Sequence, residues 1–238
     1  MSSDIGVVTE FTSGIDDRLS DVEGELLYKL AKDVPSGQVI VEIGGSKGKS
    51  TVCLAKGTEA GQRNKVYSIG AQSASNDRAD KDRGDARAKF LNNLTEAGVQ
   101  DTVVAVATAS EEAALRWRDK VGLLWVNASR EYEDVKHIIL SWGHNLSPRA
   151  SLAFHGCDQP GPARVVKEHL GDFGNFIFLG SVDTTIVVAI DKCIHYWVID
   201  SQETGICKCC GRKRNFKRIS REASNMERRR RSATKGKK

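Results

Sequence analysis

One stretch, residues 39–51, limits the fold of this chain more than any other part of the sequence. It begins with Val-Ile-Val-Glu-Ile at 39–43, an apolar and β-branched run that is typical of a buried parallel strand. Gly44, Gly45 and Gly48 follow, and Ser-Thr at 50–51 then opens a segment with helical spacing. A strand, a glycine-rich turn and a helix in this order predict an α/β fold whose turn lies close to a ligand.

The spacing of the glycines distinguishes three kinds of ligand-binding turn. A P-loop has G-x-x-x-x-G-K-[ST], and residues 48–50 match its end, but its first glycine would fall on Ile43. A dinucleotide site has G-x-G-x-x-G, and this sequence has Ser46 where that pattern needs its second glycine. The pattern that remains is E-x-G-x-x-x-G, with Glu42 two residues before Gly44. A tight turn that binds nothing is the alternative interpretation of the same residues.

Further apolar runs alternate with helical patterns along the chain. Ser20 is predicted to cap a helix before the glycine turn, Ser110 to cap one further on, and Pro162 to take the first position of a later helix. The alternation predicts a mostly parallel sheet with helices on both faces. Strands are predicted at 65–69, 102–107, 121–126 and 151–155, and a terminal antiparallel hairpin at 175–179 and 184–190. The chain is divided into a flexible N-terminus (1–19), an α/β domain (20–192) and a Cys-containing basic tail (193–238).

The charge of the chain is concentrated at its C-terminal end. The formal net charge is +5, but residues 208–238 contain 14 Lys and Arg against 2 Asp and Glu, a local charge of +12. The other residues contain 22 basic and 29 acidic side chains, a net charge of −7. Because the basic segment has few apolar residues, we predict that it is disordered when free and binds nucleic acid or another polyanion. A solubilising tail without a partner is the alternative.

The six cysteines do not have the spacing of a disulfide framework. Cys207 and Cys210 form one C-x-x-C pair, and a structural zinc site would need two more ligands. Only Cys193 and His195 are near enough in sequence, and their spacing is unusual, so free thiols are favoured over zinc. No apolar run is long enough for a membrane span and the start of the chain does not resemble a signal peptide, so we expect no membrane partner and a cytoplasmic location.

Residues 20–190 resemble the class I S-adenosylmethionine-dependent methyltransferases, and within them the small O-methyltransferases that tailor sugars and antibiotics. The resemblance is carried by the glycine turn, by VNASREYEDV at 126–135 and by FHG at 154–156 with Gly-Pro at 161–162. It implies a Rossmann-like, seven-stranded methyltransferase sheet. It also implies transfer of a methyl group from S-adenosylmethionine to an oxygen of a small molecule or sugar.

The resemblance also assigns roles to individual residues. His155 is the best remaining candidate for an acid or base, with a structural histidine as the alternative. Arg130 is the candidate for binding an anionic acceptor, with a solvated loop charge as the alternative. The residues assigned to the cofactor lie in the turn and near the strand ends: Glu42, Gly44, Gly45, Ser46, Gly48, Ser50, Gly70, Ser110 and Asn127.

The sequence departs from the family at the ends of three strands. The acids expected after strands two, four and five are replaced by Gly70, Asn127 and Gly156. Some members hold a divalent metal with the last two acids, and since hard cations need carboxylates, we expect no metal here, although Asp158 lies near. Without an acid at position 70 the ribose loses its usual partner, so binding of S-adenosylmethionine is expected to be weak. A catalytically inactive, methyltransferase-like binding module is therefore the alternative to an enzyme.

Overall fold

The computed structural model describes residues 5–70, 80–171, 176–190, 196–208, 211 and 213–216. The chain divides into two compact units, Met1–Cys193 and Ile194–Lys238. Several predictions concern residues outside this described part: the basic tail beyond residue 216, and Cys193, His195 and Cys210 of the zinc site that the sequence disfavours.

Strands and helices alternate throughout the first unit. Its elements are α1 (Ile5–Thr12), α2 (Asp21–Lys32), β1 (Val39–Ile43), α3 (Lys49–Glu59), β2 (Val66–Ile69), α4 (Asp80–Glu96), β3 (Val103–Val106), α5 (Ser110–Arg116), β4 (Val121–Val126), α6 (Tyr132–Trp142), β5 (Leu146–Phe154), α7 (Pro160–Val165), β6 (Phe176–Val182) and β7 (Thr185–Ile190). A 3-10 turn, Gly143–Asn145, leads into β5, and a π-helical turn, Val166–Gly171, continues α7.

The seven strands of the first unit form one sheet in the order β3-β2-β1-β4-β5-β7-β6. Strands β1 to β5 pair in parallel, whereas β7 pairs antiparallel with both β5 and β6. This confirms the predicted mostly parallel, seven-stranded sheet with a terminal antiparallel hairpin.

The central strands are apolar because helices cover both faces of the sheet. Every residue of β4 is buried, and Ile40 of β1 and Leu123 and Trp125 of β4 are fully buried in the main core. The helix α2 begins where it was predicted. Its N-cap Ser20 and Glu23 form a capping box, in which the Ser20 hydroxyl accepts a hydrogen bond from the Glu23 amide at 3.2 Å.

Four local features of the first unit differ from the predictions. Residues 5–12, placed in a flexible N-terminus, form helix α1, whose Val8 is fully buried. Strand β5 begins at Leu146 rather than Ser151. Helix α7 begins at Pro160 rather than Pro162, since the first helical position needs no amide hydrogen. Ser110 is not an N-cap: Ala109 occupies that position without a side-chain bond, and the Ser110 hydroxyl accepts a hydrogen bond from the Trp142 indole at 2.9 Å.

The second unit contains a small antiparallel sheet within the segment predicted to be a disordered tail. Its strands are β8 (Trp197–Ile199), β9 (Thr204–Cys207) and β10 (Lys213–Asn215), in the order β10-β9-β8. Burial alternates along β9, with Gly205 and Cys207 buried and Ile206 between them 46% exposed. The rings of Trp197 and Phe216 meet edge to face, 5.4 Å between centroids.

Across the described parts of both units, no helix combines the length and the apolar character that a membrane crossing requires.

Candidate functional site

The predicted site residues gather where the parallel strands end, which is where ligands bind in open α/β sheets. The ladder of backbone hydrogen bonds runs to the tips: the Gly44 amide donates to Ile69, the Asn127 amide to Ile43, and the His155 amide to Val126, at 2.9–3.0 Å. The turn after β1, the end of β4 and the end of β5 are therefore neighbours. Gly70 lies at the end of β2 with a left-handed backbone, φ 71°.

A fully buried carboxylate, Glu42, holds the glycine turn to the sheet and to α3. Its Oε1 accepts a hydrogen bond from Ser50, and its Oε2 accepts from Thr51 and from Ser68 of the neighbouring strand, at 2.5, 2.5 and 2.8 Å. Burial raises the pKa of Glu42, and the three hydroxyl donors oppose that rise. Glu42 precedes the turn, and Ser50 and Thr51, which follow it, both donate to the Glu42 carboxylate. Glu42 therefore braces the two ends of the turn against each other.

Gly44 lets the turn lie directly on the end of β4. Its φ is 89°, and a Cβ at this position would come within 2.5 Å of the Asn127 carbonyl oxygen and 2.8 Å of the Ala128 Cα. Any side chain here would separate the glycine turn from β4. The outer part of the turn stays accessible, since Gly44 is partly exposed and Ser46 is exposed.

The two lysines of the turn are paired with acids of the N-terminal segment. Lys49 donates to the Leu19 carbonyl and to Asp21, both at 2.9 Å, and Lys47 donates to Asp16 at 2.9 Å. In a P-loop the lysine at the position of Lys49 would face a phosphate. Here Lys49 is 9% exposed and already neutralised, so its contacts agree with the rejection of the P-loop pattern.

His155 and Asn127, both predicted site residues, are in direct contact. The Nδ1 of His155 donates to Oδ1 of Asn127 at 2.8 Å, and its Nε2 lies 3.6 Å from Oε2 of Glu23, an ion pair when the imidazole is protonated. His155 is 6% exposed. Both ring nitrogens therefore face protein groups, and the ring joins the ends of β4 and β5 to the start of α2. Its assignment as acid or base stays a prediction.

Glu23 is the central member of this network, and sequence reasoning did not include it. Its Oε1 accepts from the amide and hydroxyl of Thr184 and from the hydroxyl of Thr185, at 2.8–3.2 Å, and its Oε2 accepts from the Ser20 amide at 3.1 Å. Burial raises its pKa, but His155, Ser20, Thr185 and Thr184 together outweigh burial and lower the pKa to about 2. The sequence signal was the S-x-x-E capping box, which indicates a cap but not the contacts to β7.

The guanidinium of Arg130 lies over Gly156. A Cβ at Gly156, where φ is 74°, would lie 2.6 Å from Cζ and 3.1 Å from Nε of Arg130. Arg130 pairs with Asp158, whose Oδ1 is 3.6 Å from one terminal nitrogen, and both side chains are partly exposed. The structure therefore brings together Arg130, Gly156 and His155. The hydroxyl of Ser110, another predicted site residue, accepts a hydrogen bond from Trp142.

A family model described as a methyltransferase domain matches residues 41–157, which contain the glycine turn and the ends of β4 and β5. No curated protein matches this chain significantly.

Solved structures share the fold, and two of the three described here are named O-methyltransferases. Cofactor-bound Rv0187 from MTB aligns with a TM-score of 0.58 and 18% identity over 81% of this chain and 91% of that chain. The O-methyltransferase from Bacillus cereus in complex with SAH gives 0.56 and 15% over 80% and 91%. The O-methyltransferase TomG from Streptomyces achromogenes, involved in tomaymycin synthesis and in complex with SAM, gives 0.56 and 17% over 80% and 90%.

The family match and the shared fold confirm the predicted resemblance to methyltransferases. Residues 41–157 match the model of a methyltransferase domain, and the fold of the chain resembles that of the class I S-adenosylmethionine-dependent methyltransferases, the O-methyltransferase TomG among them.

Proposed function

We propose that this protein transfers a methyl group from S-adenosylmethionine to an oxygen of a small molecule or sugar. The observation that carries the proposal is the glycine turn after β1, braced by Glu42 inside a matched methyltransferase domain. The structural relatives that bind SAM or SAH support the same cofactor.

The residues of the turn suit this cofactor. Because Gly44 and Gly45 have no side chains, a cofactor can approach the backbone of the turn. The amides at the start of α3 are suited to the carboxylate of the cofactor's methionine part. When bound, S-adenosylmethionine supplies a methyl group made electrophilic by its positively charged sulfur. The protein's own task is to hold the acceptor in line and to exclude water.

In this proposal the acceptor lies beside the ends of β4 and β5. Arg130 is partly exposed there, while Asn127 and His155 fix each other. The alternative is a catalytically inactive module that keeps the fold and binds a ligand without turnover, which the replaced strand-end acids favour. Incubation with radiolabelled S-adenosylmethionine and a hydroxylated acceptor panel separates the two, because only an enzyme transfers the label.

Calorimetry is expected to show weak binding of S-adenosylmethionine to the wild type and tighter binding to Gly70→Asp. A carboxylate at the end of β2 can accept from ribose hydroxyls, and a hydrogen bond to a charged group is worth about 1.5–3 kcal/mol, roughly ten- to a hundred-fold in affinity. Gly70→Asn is the matched control, since it bears the same left-handed backbone strain at φ 71° without the charge. Equal affinities for wild type and Gly70→Asp would refute the assigned position of the ribose.

We also propose that the second unit binds polyanions such as RNA through its basic residues. The supporting observation within the described residues is that Lys208 and Lys213 are exposed, and Lys208 Nζ lies 5.4 Å from the ring centroid of Tyr196. Basic groups beside an aromatic ring suit a nucleic-acid strand.

A chain ending at Phe216 should elute from heparin at a lower salt concentration than the full chain. It loses 10 of the 14 Lys and Arg found at 208–238, and binding driven by counterion release weakens steeply with salt. Its affinity for S-adenosylmethionine should not change, because the seven-stranded sheet is complete by Ile190. Unchanged retention would place the polyanion-binding surface elsewhere.

A further inference from the structure

The residues at the ends of β4 and β5 do not fit the divalent metal that the family resemblance implies for some members. Asn127 offers one neutral oxygen, and that oxygen already accepts a hydrogen bond from His155 at 2.8 Å. Gly156 has no side chain. Within the part of the chain that the structure describes, no group of three or more His, Cys, Asp or Glu is arranged to hold a metal ion. Hard cations need several charged oxygen ligands, which this arrangement does not supply.

A positive charge of the protein itself fills the space left by the missing acid. The Arg130 guanidinium lies where a side chain at position 156 would begin, 2.6 Å from the Cβ that glycine lacks. An acid at 156 would push the guanidinium out of this place, and a cation beside the guanidinium would be repelled by its like charge. Arginine and glycine thus replace the acid and the metal together.

The guanidinium is able to take an anionic ligand. Its side chain is 38% exposed, and Asp158 at 3.6 Å is beyond hydrogen-bond distance, so their ion pair is loose. A guanidinium carries five N–H donors in a planar fork that matches the two oxygens of a carboxylate or phosphate. The charge is also permanent, because arginine does not lose its proton in proteins.

We propose that Arg130 stands in place of a metal ion and binds an oxyanion of the methyl acceptor, a carboxylate or a phosphate next to the hydroxyl that is methylated. The acceptor is then an acidic small molecule. The identification of the ligand as a methyl acceptor rests on the proposed function. Binding of an oxyanion at Arg130 can be measured without any methyl transfer.

Calorimetric titration of the full-length protein with 3-hydroxybenzoate, 3-hydroxybenzamide and inorganic phosphate tests the proposal. We expect hydroxybenzoate to bind more tightly than its neutral amide, and Arg130→Gln to weaken hydroxybenzoate by about tenfold or more. The affinity of Arg130→Lys for hydroxybenzoate should lie between those of the wild type and Arg130→Gln, because lysine keeps the charge but lacks the planar set of donors. Phosphate binding that depends equally on Arg130 would indicate a phosphorylated acceptor, and a preference for hydroxybenzoate a carboxylic acid.

Two further variants keep the test independent of folding defects at Arg130. Asp158→Asn removes the loosely paired carboxylate and should tighten hydroxybenzoate binding, which a purely structural Arg130 would not produce. Arg116→Gln makes the same charge change on α5, where Arg116 pairs with Glu112 near the surface, and should leave binding unchanged. The basic tail is the same in every variant, so its own attraction for anions cancels in the comparison.

The proposal is overturned if wild type and Arg130→Gln bind hydroxybenzoate equally, or if the wild type binds Mn²⁺ and chelation abolishes methyl transfer. Failure of the proposed function has a different signature: S-adenosylmethionine would not bind, while the dependence of the anion on Arg130 would persist.

Discussion

Glu23→Ala is expected to lower the free energy of unfolding by about 3–5 kcal/mol, because it removes the shared acceptor of a buried network. Thr184, Thr185 and the Ser20 amide would all lose a partner beside His155. Urea unfolding at pH 7 measures the loss. The exposed Glu112, paired with Arg116 on α5, is the control, and Glu112→Ala should change stability by no more than about 1 kcal/mol. Equal stability of wild type and Glu23→Ala would mean that the network contributes nothing.

The same carboxylate predicts how stability depends on pH. Its pKa is lowered from 4.5 to about 2, so the folded state binds this proton less tightly than the unfolded state does. The stabilisation is therefore complete above the ordinary value of 4.5 and is lost as the pH falls through about 2. A fall of this size corresponds to about 3 kcal/mol. In Glu23→Gln the slope of stability between pH 5 and pH 3 should be smaller than in the wild type, and an unchanged slope would assign the acid sensitivity to other groups.

Glu42→Ala is expected to cost about 3 kcal/mol or more in stability and to abolish measurable binding of S-adenosylmethionine. The hydroxyls of Ser50, Thr51 and Ser68 would be left buried without their acceptor, and each such loss costs about 1–3 kcal/mol. The turn that they position would no longer be held against β2. Thermal unfolding and calorimetry measure the two effects separately.

Glu42→Gln is the matched variant, and it should behave differently from alanine. An amide has the same shape, and hydroxyls can turn from donor to acceptor, so the network can be rebuilt around it. Because burial raises the pKa of Glu42, the folded state holds its proton more tightly, and this residue makes the protein less stable as the pH rises above 4.5. Removing the charge offsets part of the lost hydrogen bonding. If alanine and glutamine are equally harmful, the charge itself and not the bracing geometry is what the turn requires.

The sheet could be predicted from sequence because its information is local. A strand covered by helices on both faces must be almost entirely apolar. Residues 121–126 have that pattern, and so do residues 39–43 apart from Glu42. The start of β5 could not be predicted in the same way. Its first residues include Pro148 and Arg149, the latter with φ 65°, and the pairing with β4 shifts register there. The start of β5 therefore has the composition of a loop, and it belongs to the sheet only because it pairs with β4.

The candidate site was predictable as far as the motif itself extends. Glu42 and the glycines are adjacent in sequence, so their spacing carries the signal. The Arg130 guanidinium over Gly156 was not predictable, because it depends on where two loops meet after folding. Each residue alone is a departure from the family, and their proximity after folding is the basis for proposing that one compensates for the other.

The hydrogen bonds between Glu23 and the β6–β7 hairpin have a consequence for folding during synthesis on the ribosome. The donors on Thr184 and Thr185 follow the carboxylate by 161 and 162 residues. At a translation rate of about 5–20 residues per second, the nascent chain presents Glu23 roughly 8–32 seconds before its partners exist. During that interval the Glu23 carboxylate has the Ser20 amide as a partner but lacks both threonines. The last hairpin of the seven-stranded sheet therefore completes the network at the start of α2, and a polypeptide that ends before residue 184 lacks three of its hydrogen bonds.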